Sequence, residues 1–243
     1  MLLFMIVLFL FITSSFFTIT GINVVGNNRC KTDEIIDLSN IKIGNNGFKT
    51  IAGNLSGMMF LRYASGEQNI KKNCPYIKNV TARYIIPNTF VITVEERNPV
   101  AAVPLAGTNY VIDTEGYIVE ERKYNTNYPQ IDGLNPQISK PGELVNVKNR
   151  KELETGLELL DIINRFDENK SLSLLEQTKS INVKDINNMT ILLDNRITVN
   201  IGGLENIQHK IQFLRITFFE KIKKTDKGHI DFTLGKNPVF TPQ

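Results

Sequence analysis

No lysine, arginine, aspartate or glutamate precedes Arg29, and the first 17 residues, MLLFMIVLFLFITSSFF, are apolar except for Thr13, Ser14 and Ser15. Water is a poor solvent for such a run, whose ordinary fates are a helix held in lipid or a signal that is cut away. As a helix these residues cover roughly 25 Å, short of a hydrocarbon core of about 30 Å, and continuing the helix to Ile22 closes the gap. A cleaved signal carries a basic start and a small-residue cleavage site; neither is present, so residues 1–18 are read as a retained transmembrane anchor. Orientation stays open. Arg29 and Lys31 put the following chain in the cytoplasm by the positive-inside rule, and basic residues upstream of Met1 would reverse that.

Beyond the anchor the chain is globular in character. It has 243 residues, 42% apolar and 22% charged, enough for one or two domains with real cores. The formal charge of +3 mixes its signs along the chain, which argues against a nucleic-acid partner. Cys30 and Cys74 lack C-x-x-C spacing and read as two idle or buried thiols, with a disulfide as the alternative outside the cytoplasm. Neither His209 nor His229 belongs to a metal or nucleophile motif, and no glycine-rich phosphate cradle appears. Glu95 and Glu96 point to opposite faces of a strand and make no acid-base pair. No cofactor, metal, small-molecule substrate or enzymatic activity is expected.

The order of elements is more telling. ITGINVVGNN reads as a first strand, and Thr32 offers a cap to the short helix DEIIDLSNI. Residues 42–66 form a long, glycine-rich connection, and EQNIKKNCPYI a second helix stopped near Pro75. In NVTARYIIPNTFVITVEERNPVA the faces Val80, Ala82, Tyr84, Ile86 and Phe90, Ile92, Val94 alternate as a half-buried hairpin requires, with Pro87 and Asn88 at its turn. The first domain is therefore β-α-(loop)-α-β-β, three strands under two helices. After Asn98 and Pro99 the pattern changes to hairpins: YVIDTEGYIVEE turns at Asp113 to Gly116, and MTILLDNRITVNIGG at Asp194 and Asn195. Two amphipathic helices follow from Leu153, Leu157, Leu160 and Ile163, and from Ile207, Ile211, Leu214, Phe218 and Ile222. GHIDFTLGKNPVFTPQ is read as one last strand.

This series resembles the FtsQ/DivIB family of bacterial division proteins. ITGINVVGNN and CPYIKNVTARYIIPNTFVITVEERNPVAAV are similar to its POTRA domain, and YVIDTEGYIV, YPQIDGL, GLEN and the terminal segment to its β domain. The resemblance implies an α+β chain with an anchor at residues 1–18, a POTRA domain at 19–99 and a β domain at 100–243. It further implies a scaffold at the division septum, single-pass in the cell membrane with its bulk outside the cytoplasm. Its partners there are FtsB/DivIC-like and FtsL-like proteins, through which it helps control septal peptidoglycan synthesis. In the family the terminal strand accepts a strand from the FtsB-like partner. On this chain that site falls on Asp231, Phe232, Thr233, Leu234, Gly235, Lys236, Asn237, Val239 and Phe240, with Pro238 removing one donor from the edge. The alternative is a secretion or outer-membrane assembly module that binds unfolded polypeptide by strand pairing.

Overall fold

The apolar N-terminus forms a helix, α1 (Leu2–Ile12), that stops well before the sequence pattern does. The computed structural model describes residues 1–52, 55–123, 126–168, 171–234 and 238–242, in two units, Met1–Asn98 and Pro99–Gln243. All residues of α1 are exposed or half-buried, and its 11 residues extend only about 16 Å. Among the described residues no helix is long and apolar enough to cross a membrane. The expected continuation to Ile22 fails because the first unit needs those residues itself. Phe17 and Ile19 are buried in its core, and Gly21–Val25 are its first strand, β1. The helix end is also capped: the Thr13 hydroxyl donates to the carbonyls of Phe9 and Leu10, and Asn46 Nδ2 donates to those of Ile12 and Ser14.

From β1 the first unit continues through α2 (Thr32–Ser39), α3 (Gly47–Ile51), α4 (Leu55–Met59), α5 (Ala64–Asn73), β2 (Ile77–Ile85) and β3 (Thr89–Glu96). The three strands order as β1-β3-β2, β1 parallel and β2 antiparallel to β3. The long connection thus holds two short helices, α3 and α4. A side chain at Gly47 would collide with the Tyr84 ring, so only glycine lets α3 lie there. The hairpin faces behave as their alternation requires, with Ala82, Tyr84, Phe90, Ile92 and Val94 buried. Ile86 lies past the end of β2 and is exposed instead. Two carboxylates tie the strands to a helix and to the 28–30 loop. Glu67 pairs with Arg62 at 2.7 Å and accepts the Ala82 amide; Glu96 accepts the amides of Asn28, Arg29 and Cys30. Burial pushes the Glu96 carboxyl up, but these amides outweigh it and hold it below its ordinary value. Cys30 and Cys74 are buried free thiols with their sulfurs 2.7 Å apart, and burial pushes both pKa values up.

The second unit begins with β4 (Pro99–Leu105), β5 (Thr108–Asp113), β6 (Ile118–Arg122) and β7 (Gln130–Asp132). It continues with α6 (Arg150–Asp167), α7 (Leu174–Gln177), β8 (Thr178–Asn182), β9 (Met189–Leu193), β10 (Ile197–Gly202) and α8 (Ile207–Ile216), and ends with β11 (Gly228–Asp231) and β12 (Val239–Pro242). All strands join one sheet, ordered β12-β11-β10-β9-β8-β7-β4-β5-β6. Leu153, Leu157, Leu160 and Ile163 of α6 are buried, each contributing about 1.5–3 kcal/mol by leaving water. Ile207, Ile211 and Leu214 of α8 are buried with Phe218 and Ile222 just beyond it. Arg215 pairs with Asp167, which also accepts the amides of Leu174 and Leu175 and so fixes α7 to the end of α6. Asp113 Oδ1 accepts the amides of Glu115 and Tyr117, the turn chemistry expected of D-T-E-G. Both units combine helices with sheet, evenly parallel and antiparallel in the first and mostly antiparallel in the second, an α+β chain.

Candidate partner-binding edge

A sheet of nine strands has two edges, and their surroundings differ. At the β6 edge a loop covers the start of the strand: the Ile118 amide donates to the Glu143 carbonyl at 2.8 Å, and the Gly142 amide donates to the Ile118 carbonyl at 2.7 Å. After Ile118 and the buried Val119, β6 ends in Glu120, Glu121 and Arg122, charges that discourage strand addition. The β12 edge is Val-Phe-Thr-Pro, without charge. Val239 is 63% exposed, and Leu234, in the turn before it, is 81% exposed. Both are large apolar side chains exposed to water beside a strand that, among the described residues, has no further strand on its outer side.

The sequence reading of one terminal strand is corrected here. After α8 the chain crosses over and returns as β11 parallel to β10, with Ile197 opposite Gly228 and Asn200 opposite Asp231. It then turns, and β12 pairs antiparallel with β11, Gly228 opposite Pro242 and Asp231 opposite Val239. The reason for the turn is local. Asp231 Oδ1 accepts both the amide and the hydroxyl of Thr233 at 2.7 Å, and Asn200 Nδ2 donates to Oδ2 at 3.4 Å. Burial pushes the Asp231 carboxyl up, but Thr233 and Asn200 outweigh it and hold it below the usual aspartate range. Gly228 is needed for the close approach of β12, since a Cβ there would stand 2.2 Å from the Thr241 carbonyl oxygen.

The nine residues expected to carry the site are therefore divided among three places. Asp231 ends an inner strand; Phe232, Thr233 and Leu234 belong to the turn; Val239 and Phe240 lie on the edge strand. Gly235, Lys236 and Asn237 lie outside the described residues. Phe240 packs against the core with Phe232, leaving Val239 as the outward apolar group of β12. Sequence reasoning missed Thr241 and Pro242 as edge residues, and Gly228 as the position that admits the edge. The D-x-T turn signal at Asp231 and Thr233 was available to find the reversal.

The model of the FtsQ-type POTRA domain matches residues 17–97, and the model of the FtsQ/DivIB C-terminal region matches residues 101–232, more than half of the chain. The chain belongs to the FtsQ/DivIB family of cell division proteins. It is 29% identical to the cell division protein DivIB of Clostridium acetobutylicum over 94% of this chain and 84% of that protein. It is 28% identical to DivIB of Clostridium botulinum strain Hall over 97% and 89%, and 28% identical to the cell division protein FtsQ of Syntrophotalea carbinolica over 90% and 71%. The C-terminal FtsQ/DivIB match ends at Phe232, so the case for β12 as an edge comes from this chain's own geometry.

Proposed function

We propose that this FtsQ/DivIB protein is a scaffold of the division machinery at the cell membrane, attached through α1, with residues 19–99 and 100–243 as its POTRA and β domains outside the cytoplasm. It binds FtsB/DivIC-like and FtsL-like proteins and through them helps control septal peptidoglycan synthesis. The FtsB-like partner adds a strand along β12, in contact with Val239, Phe240 and the turn at Asp231 to Leu234. The observation that carries this reading is that, among the described residues, the β12 edge is uncovered and uncharged, whereas the β6 edge is covered at its start and charged beyond it.

The test is binding of the partners' extracytoplasmic segments to the intact chain and to Val239→Asp, Leu234→Asp and a deletion of 239–243, each checked for fold by circular dichroism. The expected result is saturable binding, weakened roughly tenfold or more by either aspartate and abolished by the deletion. Binding equal to that of the intact chain in all three folded variants moves the site away from β12, and no binding by the intact chain rejects the scaffold reading.

A further inference from the structure

We propose that the end of the first unit from which α1 emerges is a contact face for an anionic lipid surface, so that this unit rests on the membrane. The inference rests on membrane attachment through α1. Its basis is where the exposed apolar side chains of the unit collect. Beyond α1 these are Phe16, Ile43, Met59, Phe60, Ile85 and Ile86, together with Met58 and Val25.

Hydrogen bonds locate all but Val25 at one end. The Ile19 amide donates to the Asn45 carbonyl at 2.8 Å and the Gly44 amide to the Ile19 carbonyl at 2.9 Å, which places Ile43 beside the start of β1. The Thr20 amide donates to the Asn88 carbonyl at 2.8 Å, so the hairpin tip with Ile85 and Ile86 stands at the same level. The amides of Tyr84 and Tyr63 donate to the carbonyls of Leu61 and Ala82. Residues 61–63 therefore run along β2 near that tip, and the Leu61 and Arg62 amides donate to the Met58 and Gly57 carbonyls, which holds the turn carrying Met58, Met59 and Phe60 against this stretch. Tyr84 Oη closes the group by donating to the Phe17 carbonyl at 3.2 Å, directly after Phe16. Val25, at the other end of β1, is the exception.

Charge points the same way. Neither residues 40–66 nor residues 79–94 contain an aspartate or glutamate, and Lys42, Lys49 and Arg83 are exposed within them. Glu67 is engaged with Arg62, and Asp37 lies in the last turn of α2. Asp33 and Glu34 open α2, and Glu96, with Glu95 beside it, meets the 28–30 loop at the far end. An apolar rim set with cations and continuous with an apolar helix suits the interfacial zone of an anionic bilayer.

The chain has no tryptophan, so one introduced indole reports its own surroundings. Full-length Phe60→Trp, Ile43→Trp and Val25→Trp proteins are reconstituted into phosphatidylglycerol-containing vesicles, co-flotation is recorded, and quenching by lipids brominated near the headgroup is measured. The expected result is blue-shifted, strongly quenched emission at positions 60 and 43 and unquenched emission at 25, with the shift reduced by Lys42→Glu/Lys49→Glu/Arg83→Glu. Protein that floats with its vesicles but shows no quenching at 60 and 43, or equal quenching at all three, overturns the contact face while leaving attachment intact. Protein that does not float overturns attachment and the contact face together.

Discussion

Glu96 shows at the scale of one residue what local pattern conveys and what it hides. Its place at the end of a strand is plain from the alternation before it. Its three donors are 66 to 68 positions away, and no window along the chain connects them. Glu96→Ala is expected to lower unfolding free energy by about 2 kcal/mol in a denaturant titration, because it leaves backbone amides without their charged acceptor. The folded carboxyls of Glu96 and Asp231 both lie below their ordinary values. Their contribution is therefore fully present above the unfolded carboxylate values, about pH 4, and is lost as pH falls through the folded ones. Denaturation midpoints measured down through that range should fall, and Glu96→Gln should flatten part of the decline. For Cys30 and Cys74, burial and raised thiol pKa values predict slow alkylation at pH 8 in the native state and rapid modification of both once denaturant is added.

At the scale of elements, amphipathic periodicity served well wherever an element packs on its neighbours. The faces of α6 and α8 and the β2–β3 hairpin follow from spacing alone, apart from Ile86. Two elements were misread, for opposite reasons. The N-terminal helix was drawn too long because an apolar run gives no sign that Phe17 and Ile19 belong to a soluble core. The terminal strand was drawn as one because Ile230, Phe232 and Leu234 continue the alternation through a turn that only the Asp231–Thr233 hydrogen bonds impose. Gly228→Ala tests the resulting hairpin. The added methyl displaces the Thr241 backbone, so amides of 239–241 should exchange faster and partner binding should fall, while the β9 and β10 amides keep their protection. Unchanged exchange in 239–241 would show that β12 does not depend on that approach.

For the whole molecule, each unit buries its own cluster, one centred on Tyr84, Phe90 and Ile92, the other on the sheet from Val103 to Ile230. Both clusters could be outlined from the sequence, since they are built from the same alternating positions that define the strands. The neighbours of each strand could not, because a nine-stranded order in which β7 sits between β4 and β8 is decided by long-range pairing. Native-state hydrogen exchange of the intact chain should find the slowest amides in the inner strands β3, β9 and β10 and fast ones in β12, with β12 slowing when a partner strand is bound.

The covered β6 side has a further meaning for stoichiometry. A sheet blocked at one margin by its own 142–145 loop can grow in one direction only, by one strand, after which the newcomer's backbone forms the new boundary. Two copies meeting margin to margin would close as a pair, whereas an endless ribbon needs two open sides. On the proposed reading of β12, the loop is thus a chain stopper that limits each copy to a single engagement.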